Sequence, residues 1–206
     1  MVNCRVRDVS LGAAAFVGFI TSGCATINYT VVRHYAPQVA VKDDASWFNI
    51  GVKVSFSPTL QTTPDAVGVK KNGYGWEMAH YFVHPSPQEW IAGNLLAEFR
   101  RAGFNVVDEQ GGDVVSVTAH VDQLFVEPGL ELSAIRVAAI ATASVDVVLP
   151  GSDRQFSRKF VGMQVTSELF ATDAIHEKNL VDAAESCFRQ VASGVYELLS
   201  TNAEDL

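Results

Sequence analysis

DVVSVTAHVDQLFV, residues 113–126, decides the fold. Val115, Val117, Ala119, Val121 and Phe125 fall on one side, and Ser116, Thr118, His120 and Asp122 on the other. Alternation with a period of two marks a strand that turns one face to a core. Pro128-Gly129 predicts a turn after it. Glu131 to Leu149 alternates again, with Ile135, Val137, Ala139, Ala141, Ala143, Val145 and Val147 on one face. Pro150 to Asp153 predicts a tight turn, and Gln155 to Glu168 the returning strand. Strands joined by tight turns are antiparallel, so this half reads as a meander. Its alanine-rich face lets a helix come close.

Working outward, Ser86-Pro87-Gln88-Glu89 is the clearest helix start. Ser86 can cap the third helical amide, Pro87 suits the first helical position, and Glu89 can reach back to the cap amide. The helix is expected over Pro87–Ala102, with Trp90, Ile91, Leu95, Leu96, Phe99 and Ala102 on one face. Gly103 supplies the left-handed residue that ends it. Phe104–Val107 reads as a short strand and Gly111-Gly112 as a turn. A last helix is expected over about Glu177–Ser200, where Leu180, Ala184, Cys187, Val191, Val195 and Leu198 recur at three or four.

Upstream, Trp47–Phe56 reads as a strand closed by Ser57-Pro58, and Gln61–Pro64 as a loop. Ala66–Lys70 and Tyr74–Val83 flank Asn72-Gly73, a hairpin signal. Residues 24–46 read as a tether with one short strand, Tyr29–Val32. Residues 47–202 then form a single α+β domain. It is expected to be a two-layer sandwich, a mainly antiparallel sheet with two amphipathic helices on one face.

The first 23 residues read as an address. Arg5 and Arg7 precede an uncharged apolar run, Val9–Ile20, and the small residues Thr21, Ser22 and Gly23 precede Cys24. Positive, apolar, small is the order of a secretory signal. The run is about 18 Å long as a helix, short of a hydrocarbon core of about 30 Å. Ser22-Gly23-Cys24 resembles a bacterial lipobox, with Thr21 where an aliphatic residue is usual. On this resemblance cleavage is expected between Gly23 and Cys24 and acylation on Cys24; the alternatives are an ordinary signal peptide cut near Gly23 and an uncleaved anchor. Three acyl chains anchor strongly, at about 0.8 kcal/mol per buried methylene. Ala25, in place of the Asp of the enterobacterial retention rule, favours the outer membrane.

The whole chain of 206 residues carries a net charge of −8, with 48% apolar and 18% charged residues. That excludes a mostly disordered chain. The acidic balance argues against nucleic acid as a partner. Residues 1–23 hold Arg5, Arg7 and Asp8, a net of +1, so the rest of the chain stands at −9. Three cysteines are too few for a disulfide scaffold. Cys187 alone would remain without a role in the leader or anchor, and its helix stripe makes it a small buried hydrophobe.

The lipobox, SPQEWIAGNLLAEFRRAGFNVV, DVVSVTAHVDQLFV, the hairpin around LPGSDRQ and NLVDAAESCFRQVASGVYEL together resemble the YajG-type lipoproteins. The likeness spans about Ile50–Leu199, and residues 61–77 look longer than the family pattern. The resemblance implies an envelope lipoprotein with no catalytic motif. More distantly, the layout looks like accessory lipoproteins of envelope lipid-transport systems.

Little catalytic chemistry is encoded. His80 and His84 would lie some 13 Å apart along a strand at about 3.3 Å per residue, too far for one metal ion. His120 with Asp122 reads as a solvated pair. No G-x-S-x-G elbow or P-loop appears, and Asn72-Gly73-Tyr74-Gly75 reads as a turn. Arg100-Arg101 balances a helix C-terminus, and Arg158-Lys159 lies on a strand. The aromatics Trp47, Phe48, Tyr74, Trp76, Tyr81 and Phe82 are mostly core, with a minority available to rim a groove.

The leading expectation is a non-catalytic, lipid-anchored envelope protein, without cofactor or metal, that binds a partner protein or forms part of a periplasmic or outer-membrane assembly; an edge strand could recruit the partner by strand addition. The alternatives are a lipid-transport accessory holding an acyl chain and a hydrolase acting on cell wall or lipid.

Overall fold

The computed structural model describes residues 27–31, 49–57, 63, 65–107, 114–131, 133–151 and 154–202. The leader, Gly23, Cys24, Trp47, Phe48 and the Gly111-Gly112 turn lie outside these residues, as do parts of the tether, of the Gln61–Pro64 loop and of the Pro150–Asp153 turn. In chain order the elements are β1 (Tyr29–Val31), β2 (Asn49–Phe56), β3 (Ala66–Lys71), β4 (Glu77–Val83) and helix α1 (Pro87–Arg101). They continue with β5 (Asn105–Val107), β6 (Val115–Leu130), β7 (Ile135–Val148), β8 (Gln155–Glu168) and helix α2 (Asp173–Thr201).

The α+β class holds, and the meander β6–β7–β8 is antiparallel throughout, from Ser116↔Val148 to Leu130↔Ile135 and from Ile135↔Glu168 to Val148↔Gln155. The rest departs from the expected two-layer sandwich on a mainly antiparallel sheet. Among the described residues β1–β4, β2–β5, β2–β6 and β3–β6 are parallel. The sheet is therefore mixed, and it curls into a half-barrel. The parallel pairs come from strands that local turns do not join, so period-two alternation could not reveal them.

Strand β6 organises the sheet. Its first half pairs with β2, Ile50↔Val115 to Phe56↔Val121, and its second half meets β3 at Gly68↔Val126. Both neighbours use the same edge, so the sheet forks along β6. A register shift between Val121 and Gln123 marks the fork. This bulge reverses the alternation: Leu124 and Val126 are buried, and Phe125 turns to the other face. A one-residue slip does this to any strand.

Pro128-Gly129 is no turn. Pro128 pairs opposite Val137 and Gly129 opposite Arg136, and the strand runs on to Leu130. Among the described residues β3 pairs with β6 at Val126 and not beyond it, and proline is tolerated where a strand edge needs no donor.

Helix α1 forms as its ends predict. The Glu89 amide donates to Ser86 Oγ at 3.2 Å. Glu89 reaches back to the Ser86 hydroxyl, which donates to its carboxylate at 3.1 Å, rather than to the cap amide. At the other end Gly103 has φ +94°. Its amide donates to the Arg100 carbonyl and the Phe104 amide to the Phe99 carbonyl. These two bonds and the edge-on Phe99–Phe104 ring contact complete a Schellman motif.

Helix α2 starts at Thr172, whose hydroxyl accepts from the Ile175 amide at 3.4 Å. Its first helical residue, Asp173, lies four residues before the expected start at Glu177. Thr172-Asp173, a cap followed by an acid in the first turn, carried the signal. The helix lies on β6, β7 and β8 and buries Leu180, Ala184, Cys187, Phe188, Val191 and Val195. Ala139, Ala141 and Ala143 of β7 face it. Gly162 is the closest approach: a Cβ there would stand 2.0 Å from the Ala183 carbonyl oxygen and 2.6 Å from the Cys187 nitrogen. Buried Asn179 links the layers, donating to the Val137 carbonyl and accepting from Thr166, both at 2.9 Å.

Candidate functional site

Two arrangements stand out: a polar clasp at the start of α2 and an uncovered row on β8. The clasp joins β1, β3 and β4 to the helix. Lys70 on β3 is nearly buried, and its Nζ lies 2.8 Å from Asp173 Oδ1. The Tyr81 hydroxyl on β4 donates to the same oxygen at 2.8 Å. The Tyr29 hydroxyl on β1 donates to Glu177 at 2.8 Å. The Lys70 ammonium stands over both tyrosine rings, 5.2 Å from Tyr81 and 5.6 Å from Tyr29.

His176 stacks on Tyr81, ring centroids 4.8 Å apart, and its Nδ1 lies 2.9 Å from the Thr172 carbonyl. Its buried Nε2 has no hydrogen-bond partner. Burial holds the His176 pKa below the usual histidine value, against the Thr172 carbonyl and Asp173 that favour the charged ring. Burial first, then the bond to Asp173, pushes the Tyr81 hydroxyl far above the usual tyrosine value. The hydrogen bond to Glu177 raises Tyr29. The two tyrosine hydroxyls, the Lys70–Asp173 pair and the stacked His176 ring tie the first turn of α2 to β1, β3 and β4.

Strand β8 is the sheet edge: among the described residues it pairs with β7 alone. Its inner residues Phe160, Gly162, Gln164 and Thr166 face α2. Its outer residues Val161, Met163 and Val165 are exposed, Met163 at 64%. On the same outer face, in register, lie Thr142, Ile140 and Ala138 of β7, and beyond them Gln123, Phe125 and Glu127 of β6. The apolar row thus continues inward through Ile140 to Phe125. Gln190 of α2 donates to the Val161 carbonyl at 3.0 Å, which occupies one acceptor of that strand.

The residues singled out in the sequence do not converge. His80 Nε2 meets Thr63 Oγ1 at 3.0 Å, and the His84 amide bonds the Val31 carbonyl. His120 Nδ1 meets Ser55 Oγ at 2.5 Å. Asp122, at the bulge, accepts from Ser144 at 3.0 Å and lies 3.7 Å from Lys159. Arg158 lies 3.5 Å from Glu197 and over the Phe160 ring. Among the described residues no group of three or more His, Cys, Asp or Glu is placed to hold a metal ion.

Arg101 does more than complement a helix end: it lies 2.5 Å from Glu98, which is wholly buried. Glu98 and Asn94 share the inner face of α1 with Trp90, Ile91 and Leu95, an exception that its apolar spacing concealed. Cys187 is buried, its thiol pushed up to about 12 by burial, and its Sγ lies 3.8 Å from the Phe160 carbonyl. Tyr81 is core, whereas Tyr74 and Trp76 stand exposed at the tip of the β3–β4 hairpin. The sequence marks Lys70 and Glu177 only as element ends and does not bring them together with Asp173; Lys70 is distant in the chain from the other two, and only Asp173 had a local signal, as the acid after a cap.

The sequence matches no family model and no curated protein. The fold is similar to solved structures. A Xanthomonas campestris protein described by the family DUF330 aligns with TM-score 0.57 at 12% identity, covering 86% of this chain and 99% of that one. An uncharacterised protein aligns with TM-score 0.50 at 12% identity, covering 84% and 99%. A neuraminyllactose-binding hemagglutinin homologue from Helicobacter pylori aligns with TM-score 0.44 at 12% identity, covering 85% and 99%.

Proposed function

We propose that this protein is a non-catalytic lipoprotein of the bacterial envelope, of YajG type, that recruits a partner protein through β8. The carrying observation is the edge itself. Natural proteins cover, shorten or charge their edge strands. Here a 14-residue edge strand presents Val161, Met163 and Val165 to solvent, with Ile140 and Phe125 continuing the row. An added strand or an apolar segment with alternate side chains fits such a surface.

The leader and Ser22-Gly23-Cys24 support the anchor, with Gly23-Cys24 as the cleavage site and Cys24 as the acylated residue. Ala25 supports the outer membrane, with residues 24–46 as tether and 47–202 as the domain. The acyl-holding alternative finds no room at Gly162, where α2 already rests on β8 at backbone contact.

The test is expression of the full chain beside Cys24→Ala in a Gram-negative host, with labelled fatty acid, fractionation and a photo-crosslinker at position 163. Label on the wild type alone, in the outer membrane, with an envelope protein crosslinked from 163 and not from 155, is the expected result. Equal labelling of both chains sinks the anchor. A crosslinker at 163 that never captures protein sinks the partner reading.

A further inference from the structure

Among the described residues the registers place six of the eleven exposed large apolar side chains at one end of the sheet. Strands β3 and β6 run toward that end, since Gly68 lies beside Val126 and the strands are parallel. The β3–β4 hairpin tip therefore stands level with the end of β6. Strand β1 runs parallel to β4, with Tyr29 beside Tyr81, so Ile27 precedes it at the same end. Leu130 pairs with Ile135, and Ile135 with Glu168, which brings Leu169 and Phe170 there too.

Ile27, Tyr74, Trp76, Leu130, Leu169 and Phe170 are between 55% and 85% exposed. The hairpin tip is fixed rather than loose: Asn72 Oδ1 accepts from the Tyr74 amide at 2.9 Å and the Trp76 amide at 3.0 Å. Asn72 and Trp76 also close a backbone bond at 2.9 Å.

We infer that this end of the domain lies against the lipid surface, with Tyr74, Trp76, Leu169 and Phe170 seated in the interface of the leaflet that holds the acyl chains. The inference rests on acylation of Cys24. Cys24 is three residues before Ile27, and three Cα steps reach at most about 11 Å. An acylated Cys24 therefore holds this end, and not the opposite one, at the membrane. Tyrosine and tryptophan favour the boundary between apolar and wet surroundings. The contact is apolar rather than electrostatic. Lys71 at this end is paired with Glu127 at 2.8 Å, and Arg136 there stands among Glu77 and Glu168 on their strands and Glu131 just past β6, so the described residues present no basic excess to the bilayer.

The test uses the full chain processed in a Gram-negative host, purified from membranes and reconstituted in phosphatidylcholine vesicles, with fatty-acid label confirming acylation. Emission of the wild type is compared with Trp76→Phe, so that the difference reports Trp76 alone. Brominated phosphatidylcholine is expected to lower that difference about twofold, as for an interfacial tryptophan. Aqueous iodide is expected to quench it little, and raised salt to change neither result. Labelled protein whose Trp76 ignores brominated lipid and stays open to iodide overturns the inference and leaves the anchor standing. Protein that carries no label overturns the inference together with the anchor.

Discussion

Strand β8 gives its alternate residues opposite fates. On the inner side Gly162 is so close to α2 that even a methyl group has no place, and Phe160 is buried against Gly194. On the outer side, one residue either way, Val161 and Met163 meet solvent. At mid-strand neither side carries a charge: Phe160 and Gly162 point inward, Val161 and Met163 outward. What separates them is whether a second layer exists to cover them, and α2 supplies that layer on one face only. The inner side accordingly carries stability, and the outer side is available for recognition.

The difference can be tested by substitution on each side. Gly162→Val is expected to cost about 3 kcal/mol, because the added atoms collide with helix backbone that a rotamer change cannot move. Met163→Lys, next to it and facing outward, is the paired control and should stay within about 0.5 kcal/mol. Urea midpoints of both variants beside the wild type decide it; similar losses for the two would erase the distinction between the faces.

The clasp that begins α2 is the next largest effect. Asp173→Ala leaves the Lys70 ammonium without its 2.8 Å partner in a nearly buried place and removes the acceptor of Tyr81. The expected loss is about 2 kcal/mol, since Asp173 itself is partly exposed. Hydrogen exchange at the first turn of α2 should rise most; exchange rising uniformly instead would mean that the contact is not local.

His176 gives the smallest effect and a pH signature. Its folded pKa lies below the ordinary value of 6.5, so below that pH the unfolded chain takes up the proton more readily than the folded one. Stability from this group is complete above 6.5 and falls as the pH drops toward the folded pKa. The groups facing it are Tyr81, Asp173, Lys70 and the Thr172 carbonyl. His176→Phe, which keeps a ring against Tyr81, should flatten the decline between pH 7 and pH 5 on the ordinary histidine scale. An unchanged slope in chemical denaturation would assign the decline to other groups.

How much of this could be read beforehand depends on how far the causes reach along the chain. Helix α1 was legible to its caps because Ser86, Glu89 and Gly103 act within three or four residues. The strands β6, β7 and β8 were legible because tight connections and alternation are local. Phe125 was assigned to the wrong face because the bulge at Asp122 arises where β6 changes neighbours. Asn94 and Glu98 escaped notice because apolar spacing does not report a buried acid held by Arg101.

The sequence by itself determined the acidic charge, the order of the leader pattern, both helices and the meander. The tertiary structure decided that β1, β2 and β3 enter the sheet in parallel, that Lys70 meets Asp173, and that Ile27, Trp76 and Phe170 share one end. The reason is physical. Caps, turns and alternation are set by neighbours in the chain, whereas the partner of an unconnected strand is chosen by packing among residues far apart in sequence.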